Sequence, residues 1–138
     1  INMIVLLSFG PQLEARMGSG RFLGFYLAAG ITGSLAHAVV SNFFIGSPAQ
    51  AALGASSAIA GVLLLFSLTF PKARVLLFFI IPLPAIAAAL VFVGLDVWGL
   101  IAQVEGGGLP IGHGAHLGGA LVGILYYLAR RPARRWDR

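Results

Sequence analysis

An all-α fold, built as a polytopic transmembrane helix bundle, is predicted by three features of this 138-residue sequence. Hydrophobic residues make up 59% and charged residues only 9%, with a mean hydropathy of +0.95, whereas a soluble domain usually carries about 25% charged residues. The apolar residues lie in runs that approach the roughly 20 residues needed to cross a bilayer. The nine lysines and arginines are confined to three short stretches between or after those runs.

Charges and helix breakers divide the sequence into five predicted helices. The first runs from Ile1 to about Leu13, the second from Phe22 to about Ile45, the third from Leu53 to Phe70, the fourth from Val75 to about Val97 and the fifth from about Leu109 to Ala129. The first is too short to span a bilayer, and the sequence opens on Ile1 with no basic leader, so a cut helix with further segments upstream and no cleavable signal peptide are expected. Residues 1–131 form the predicted membrane domain and 132–138 a basic tail. Within the fourth helix, Pro82 and Pro84 predict a kink or a mobile segment, because each removes a backbone donor. Before the fifth, Gly106-Gly107-Gly108 predicts a flexible loop able to cap a cavity.

Charge placement orients the bundle. Arg16 and Arg21 follow the first helix, Lys72 and Arg74 the third, and Arg130, Arg131, Arg134, Arg135 and Arg138 the fifth, so alternating helices put all nine on one side. The loops of the other side, residues 46–52 and 99–108, hold no Lys or Arg and only Glu105. By the positive-inside rule the basic side, tail included, is cytoplasmic, and the expected setting is a bacterial plasma membrane. The net charge of +5 is a topology signal first and an attraction to anionic lipid second; nucleic acid is not an expected partner.

This topology gathers chemistry at one end. The first, third and fifth helices all run inward from the outer face, with Asn2, Ser56 and His116 near their starts. At about 1.5 Å of rise per residue, groups three to seven positions into a helix lie roughly 5 to 10 Å below its start. A hydroxyl and an imidazole are the parts of a minimal nucleophile–base pair, and polar groups in a membrane segment tend to face an interior or a wet cavity. Ser56 sits in Gly54-Ala55-Ser56-Ser57, where Gly54 permits a tight start and the free N–H groups of the first turn can stabilise an oxyanion. His116 sits in Ala115-His116-Leu117-Gly118-Gly119-Ala120-Leu121-Val122-Gly123, where Gly119 and Gly123 form a small-xxx-small face that lets another helix approach closely. The bland alternatives are a serine bonded to a carbonyl one turn back and a histidine capping its helix. Neither motif contains an Asp, so the pair is read as a dyad.

The sequence resembles the rhomboid family of intramembrane serine proteases in both motifs and in Leu13-Glu14-Ala15-Arg16-Met17-Gly18-Ser19-Gly20-Arg21, which is similar to the turn after that family's second core helix. The resemblance covers essentially the whole sequence and implies five helices of a six-helix core, the first being absent. It implies Ser56 as nucleophile, His116 as general base, and an oxyanion site made by the Ser56 backbone N–H and Asn2, which lies twelve residues before Glu14. The histidine that rhomboids place a turn before that Asn would precede Ile1. One departure is Ser57, where the family usually has Gly; a side chain and a second hydroxyl there compete with the nucleophile. The implied substrates are transmembrane helices with weak, Gly/Ala-like stretches, cut near the outer boundary.

Other polar residues are assigned lesser roles. His37, His113 and Ser57 are candidate cavity residues, His113 being three positions before His116 and so adjacent on a helix surface. Asp96 is the only acid inside an apolar run and receives no catalytic role. Glu14 with Arg16 is read as anchoring the cytoplasmic turn. A membrane metalloprotease would need His-Glu-x-x-His, a paired-aspartate protease two membrane Asp residues, and a pump a phosphate loop; none is present. Zero Cys removes thiol chemistry. No metal or organic cofactor is expected. The competing readings are a non-catalytic rhomboid-like protein that binds membrane clients and, third, a small transporter or channel.

Overall fold

A computed structural model describes residues 1–46 and 55–130. Helix α1 spans Asn2–Met17, α2 Ser19–Val40 followed by one π-helical turn at Ser41–Ile45, α3 Ser56–Thr69, α4 Ala85–Val104 and α5 His113–Arg130. Two short antiparallel strands, β1 (Arg74–Leu77) and β2 (Ile81–Pro84), pair Arg74 with Pro84 and Leu77 with Ile81 between α3 and α4. Among the described residues the bundle is thus all-α with five α-helices, as the apolar runs predict, plus one hairpin.

The hairpin corrects the fourth predicted helix, which starts at Ala85 rather than Val75. Pro82 and Pro84 do not kink a helix. Pro82 lies in β2, and Pro84, with φ −57 and ψ 141, stands immediately before α4, where proline costs no helical hydrogen bond. The α4 start is tied down by Ala85 N–H to Ala73 O at 2.7 Å and Ile86 N–H to Pro71 O at 3.2 Å. The first helix also runs four residues past Leu13, because Gly18, at φ 85, is the first residue free to leave the helix. There the Ser19 hydroxyl donates to Glu14 Oε1 at 2.7 Å, while Arg16 lies 4.5 Å over the Phe70 ring; Glu14 closes the turn with Ser19, not with Arg16.

Ring contacts fix the helix directions. Phe9 meets Phe66 at 4.6 Å and Arg16 covers Phe70, so α1 and α3 end together; Phe25 near the start of α2 meets Tyr126 near the end of α5 at 5.3 Å. Helices α1, α3 and α5 therefore run one way and α2 and α4 the other. Arg16, Arg21, Lys72, Arg74 and Arg130 share one end, and Asn2, Ser56 and His116 the opposite one.

Packing differs between the two ends. Towards the basic end the core is built from large side chains, Leu13, Met17, Phe25, Val62, Leu65 and Phe66. Towards the other end the buried residues are small or polar: Gly33, His37, Ser41, Ser57, Gly114, Ala115, Gly118 and Gly119. The exterior is apolar, with Leu7, Phe43, Leu90 and Trp98 all more than two-thirds exposed; such a surface suits lipid and not water. Residues Ser19–Ile45 and Ala85–Val104 are long and apolar enough to cross a bilayer.

Candidate active site

Helix α5 packs most extensively against α3 and α2, and glycines set how closely. A Cβ built at Gly119 would lie 2.6 Å from the Ser57 carbonyl carbon, and its carbonyl oxygen would be nearer still. One built at Gly123 would meet Gly61 O at 2.7 Å. The small-xxx-small face therefore does lie against the serine helix, backbone to backbone. On the other flank, a Cβ at Gly118 would meet Ala36 at 2.8 Å, so α2 closes equally on α5.

This approach sets the first turn of α3, at Ser57, against the second turn of α5, at Gly119. Ser56 is the first residue of α3 and half-buried; His116 is in the first turn of α5 and partly buried. Among the described residues no hydrogen bond joins Ser56 to His116, a common state of such pairs without substrate. Ser57 points elsewhere: it is 3% exposed, its hydroxyl donates to Gly30 O at 3.4 Å, and its Cβ packs where any side chain at Gly33 would clash. The second serine is thus absorbed in packing between α2 and α3. It borders an open groove of about 380 Å³ with Gly30, Ser34 and Ala58, which neither Ser56 nor His116 lines.

The imidazole of His116 has a partner that the motifs do not contain. Its Nδ1 lies 3.0 Å from Asp96 Oδ1, and His113 Nδ1 lies 2.7 Å from the same oxygen. Asp96 is 4% exposed and sits in the middle of α4. His113 is the buried first residue of α5. The signal that would have found this pairing is the lone carboxylate itself, since an ionisable group in an apolar helix needs a partner and only three histidines are available. The three side chains offer ligand atoms within 4.8 Å of one another, a set of a kind that binds transition metals.

The remaining residues are placed as follows. Asn2 is the first residue of α1, at the same end of the bundle and half-buried. His37 is buried in the last turn of α2, with Nε2 3.2 Å from the Ser41 hydroxyl. Gly54 lies outside the described residues. The glycine loop is less free than its composition suggests: Gly106 and Gly108 take φ of 88 and 78, and the Gln103 amide donates to Leu109 O at 2.5 Å and Ile111 O at 2.7 Å, pinning residues 105–112 to the end of α4.

Residues 1–133 match the Rhomboid domain family. The chain is 36% identical to Rhomboid protein 1, mitochondrial, of Saccharomyces cerevisiae, over 100% of this chain and 40% of that protein. It is 35% identical to the human Presenilin-associated rhomboid-like protein, mitochondrial, over 91% of this chain and 32% of that one. A Bacillus subtilis protein named Rhomboid protease GluP is 45% identical over 51% of this chain and 13% of its own length. The chain therefore spans two-fifths or less of these relatives. No solved structure matches it.

Proposed function

The chain belongs to the rhomboid family of membrane proteins, and we propose that it is an intramembrane serine endopeptidase with Ser56 as nucleophile and His116 as general base. The observation that carries this reading is the convergence of α3 and α5 at Ser57 and Gly119, which sets a half-buried serine and a histidine with a hydrogen-bonded Nδ1 at the same end of the bundle. The removal of the Ser57 hydroxyl into the α2–α3 contact supports it further, because the residue that stands in place of the family's glycine does not compete at the site.

In the proposed reaction Ser56 Oγ attacks a carbonyl carbon of the substrate as its proton passes to His116 Nε2. The oxyanion is held by the Ser56 backbone N–H, which a helix start leaves without an intrahelical partner, and by Asn2. His116 returns the proton to the departing amine, and water then hydrolyses the acyl-enzyme. Substrates are transmembrane helices whose weak stretches unwind near the outer boundary. Helix α3, at 14 residues, is about 21 Å long against a hydrocarbon core of about 30 Å; with its basic end at one boundary, Ser56 lies below the opposite one, at a depth a membrane-spanning substrate reaches. Residues 1–131 form the membrane domain of this enzyme and 132–138 its basic tail. The positive-inside bias supports an orientation with that tail on the cytoplasmic face of a bacterial plasma membrane, or the corresponding face in an organelle such as that of the yeast relative.

The test uses the full-length protein in lipid vesicles with a model transmembrane substrate. The wild type and Ser57→Ala cut it; Ser56→Ala and His116→Ala leave it whole, and a serine-reactive probe labels the wild type but not Ser56→Ala. Cleavage by Ser56→Ala refutes the assignment. A folded wild type that neither cleaves nor takes the probe favours the client-binding alternative.

A further inference from the structure

We propose that Asp96 is a positioning residue for the His116 base, fixing its tautomer and ring orientation, with His113 as a second clamp on the same carboxylate oxygen. The inference rests on the reading of Ser56 and His116 given above and extends that dyad to a relay reaching α4. Asp96 is the one ionisable residue of α4, and a buried carboxylate in a membrane helix is retained where it has a partner and a use. Here it has two partners through a single atom, Oδ1.

With Asp96 ionised, Oδ1 only accepts, and both imidazoles donate to it from Nδ1. The neutral His116 ring then has its lone pair on Nε2, which makes no hydrogen bond among the described residues. That is the atom that must take the proton of Ser56. Helix α4 supplies a second contact to the ring: Phe92, one turn before Asp96, lies against His116 at 5.7 Å between centroids, tilted by 31°. Phe92 and Asp96 are four residues apart on one helix face, and both contact the imidazole. His113 is held in turn by a notch at Gly99, where a Cβ would come 2.8 Å from its Cδ2 and closer to the far edge of the ring. The second oxygen, Asp96 Oδ2, is buried and finds no hydrogen-bond donor among the described residues, so the hydrogen bonding of the carboxylate is concentrated on the two histidines.

The consequence for the reaction is electrostatic. When the Ser56 Oγ–carbonyl bond forms and the hydroxyl proton moves to Nε2, the ring becomes an imidazolium whose Nδ1 lies 3.0 Å from the carboxylate oxygen. The same proton leaves from Nε2 to the amine as the peptide C–N bond breaks. Asp96 gains and loses no proton; it acts on the ring throughout.

The experiment uses the full-length protein in vesicles and compares Asp96→Asn, His113→Gln and Gly99→Ala with the wild type. Asp96→Asn is expected to lower kcat by about 100-fold with KM changed less than about twofold, and the other two by about tenfold, in the range that outer partners of a functional histidine command. Asp96→Glu recovers part of the loss. Nitrogen-15 NMR of the His116 ring should show Nε2 unprotonated in the wild type and a mixture of tautomers in Asp96→Asn, a signature that a merely structural role would not move. Wild-type kcat and an unchanged tautomer in Asp96→Asn overturn the proposal. If Asp96→Asn does not fold, unchanged kcat and tautomer in both His113→Gln and Gly99→Ala overturn it instead, as does a loss confined to the amount of folded protein. Cleavage by Ser56→Ala, by contrast, removes the dyad on which the inference rests, so the two failures are told apart.

Discussion

Replacing Gly119 by alanine adds one methyl group at the closest backbone approach between the two helices of the proposed dyad. The new Cβ would stand 2.6 Å from the Ser57 carbonyl carbon, 0.8 Å short of the 3.4 Å at which ordinary contact begins, and its carbonyl oxygen makes the shortfall larger. Neither partner atom is the end of a flexible side chain, so the strain is relieved only by moving one helix. Overpacking of this kind costs about 1–3 kcal/mol. The functional cost is greater, because His116 is three residues from Gly119 on the helix that must move, and a misplacement of about 1 Å is worth about 100-fold in rate. Gly30→Ala is the matched control: its Cβ would sit at 3.6 Å from Ala58, an ordinary contact. Cleavage rates per folded molecule in vesicles, with unfolding followed in detergent, should rank wild type and Gly30→Ala together, Gly61→Ala and Gly123→Ala lower, and Gly119→Ala lowest. A folded Gly119→Ala enzyme with the wild-type rate would show that the α3–α5 approach does not position the base.

Three further substitutions probe separate parts of the molecule. Asn2→Ala should lower kcat by about 10²- to 10³-fold with little change in KM, the effect of losing one oxyanion donor; an unchanged kcat in the vesicle assay removes Asn2 from the site. Gly94→Ala lies in α4 with nothing within 4 Å of the new Cβ, so it should raise stability in detergent by up to about 1 kcal/mol through helix propensity alone and leave cleavage unaltered; destabilisation would contradict the open lipid-facing position. Gln103→Leu deletes both hydrogen bonds to Leu109 O and Ile111 O, which should cost about 1–3 kcal/mol and speed hydrogen exchange across residues 105–112; unchanged exchange there would mean that the loop is held by something else.

What is legible in this sequence is what local composition determines. Apolar runs count the helices, and the confinement of Arg16, Arg21, Lys72, Arg74 and Arg130 to alternate connections orders them, because charge and hydropathy act residue by residue. The stretch from Val75 to Leu95 defeats the same reasoning: it carries no charge, and hydropathy alone does not separate a strand from a helix in such a run. Pro82 and Pro84, two residues apart, were the usable signal, since that spacing suits a short edge strand and a helix start better than a helix interior. Asp96 was hidden for a different reason. Its partners are 17 and 20 residues away, across a loop and a reversal of direction, and no short motif spans that distance. Ser57 shows the converse: beside Ser56 it looks like a rival nucleophile, and only the packing of α2 reveals that its hydroxyl is spent on Gly30.

Two separate devices place His116, and they come from different helices. Gly119 is steric: by lacking a side chain it lets α5 lie against the α3 backbone, which in the proposed dyad governs how closely base and nucleophile approach. Asp96, in the role proposed for it, is electrostatic and directional: from α4 it orients the ring and selects the nitrogen that carries the lone pair. The asymmetry of the core follows from the first requirement. Backbones can approach this closely only where residues are small, so the site end is built from Gly33, Ser57, Gly118 and Gly119, and that end has little apolar bulk with which to hold itself together. Leu13, Phe25, Val62 and Phe66 supply the bulk at the opposite end. The histidine pair on Asp96 Oδ1 then serves the site end in both capacities, since hydrogen bonds shared by one buried carboxylate hold α4 to α5 where side-chain volume does not.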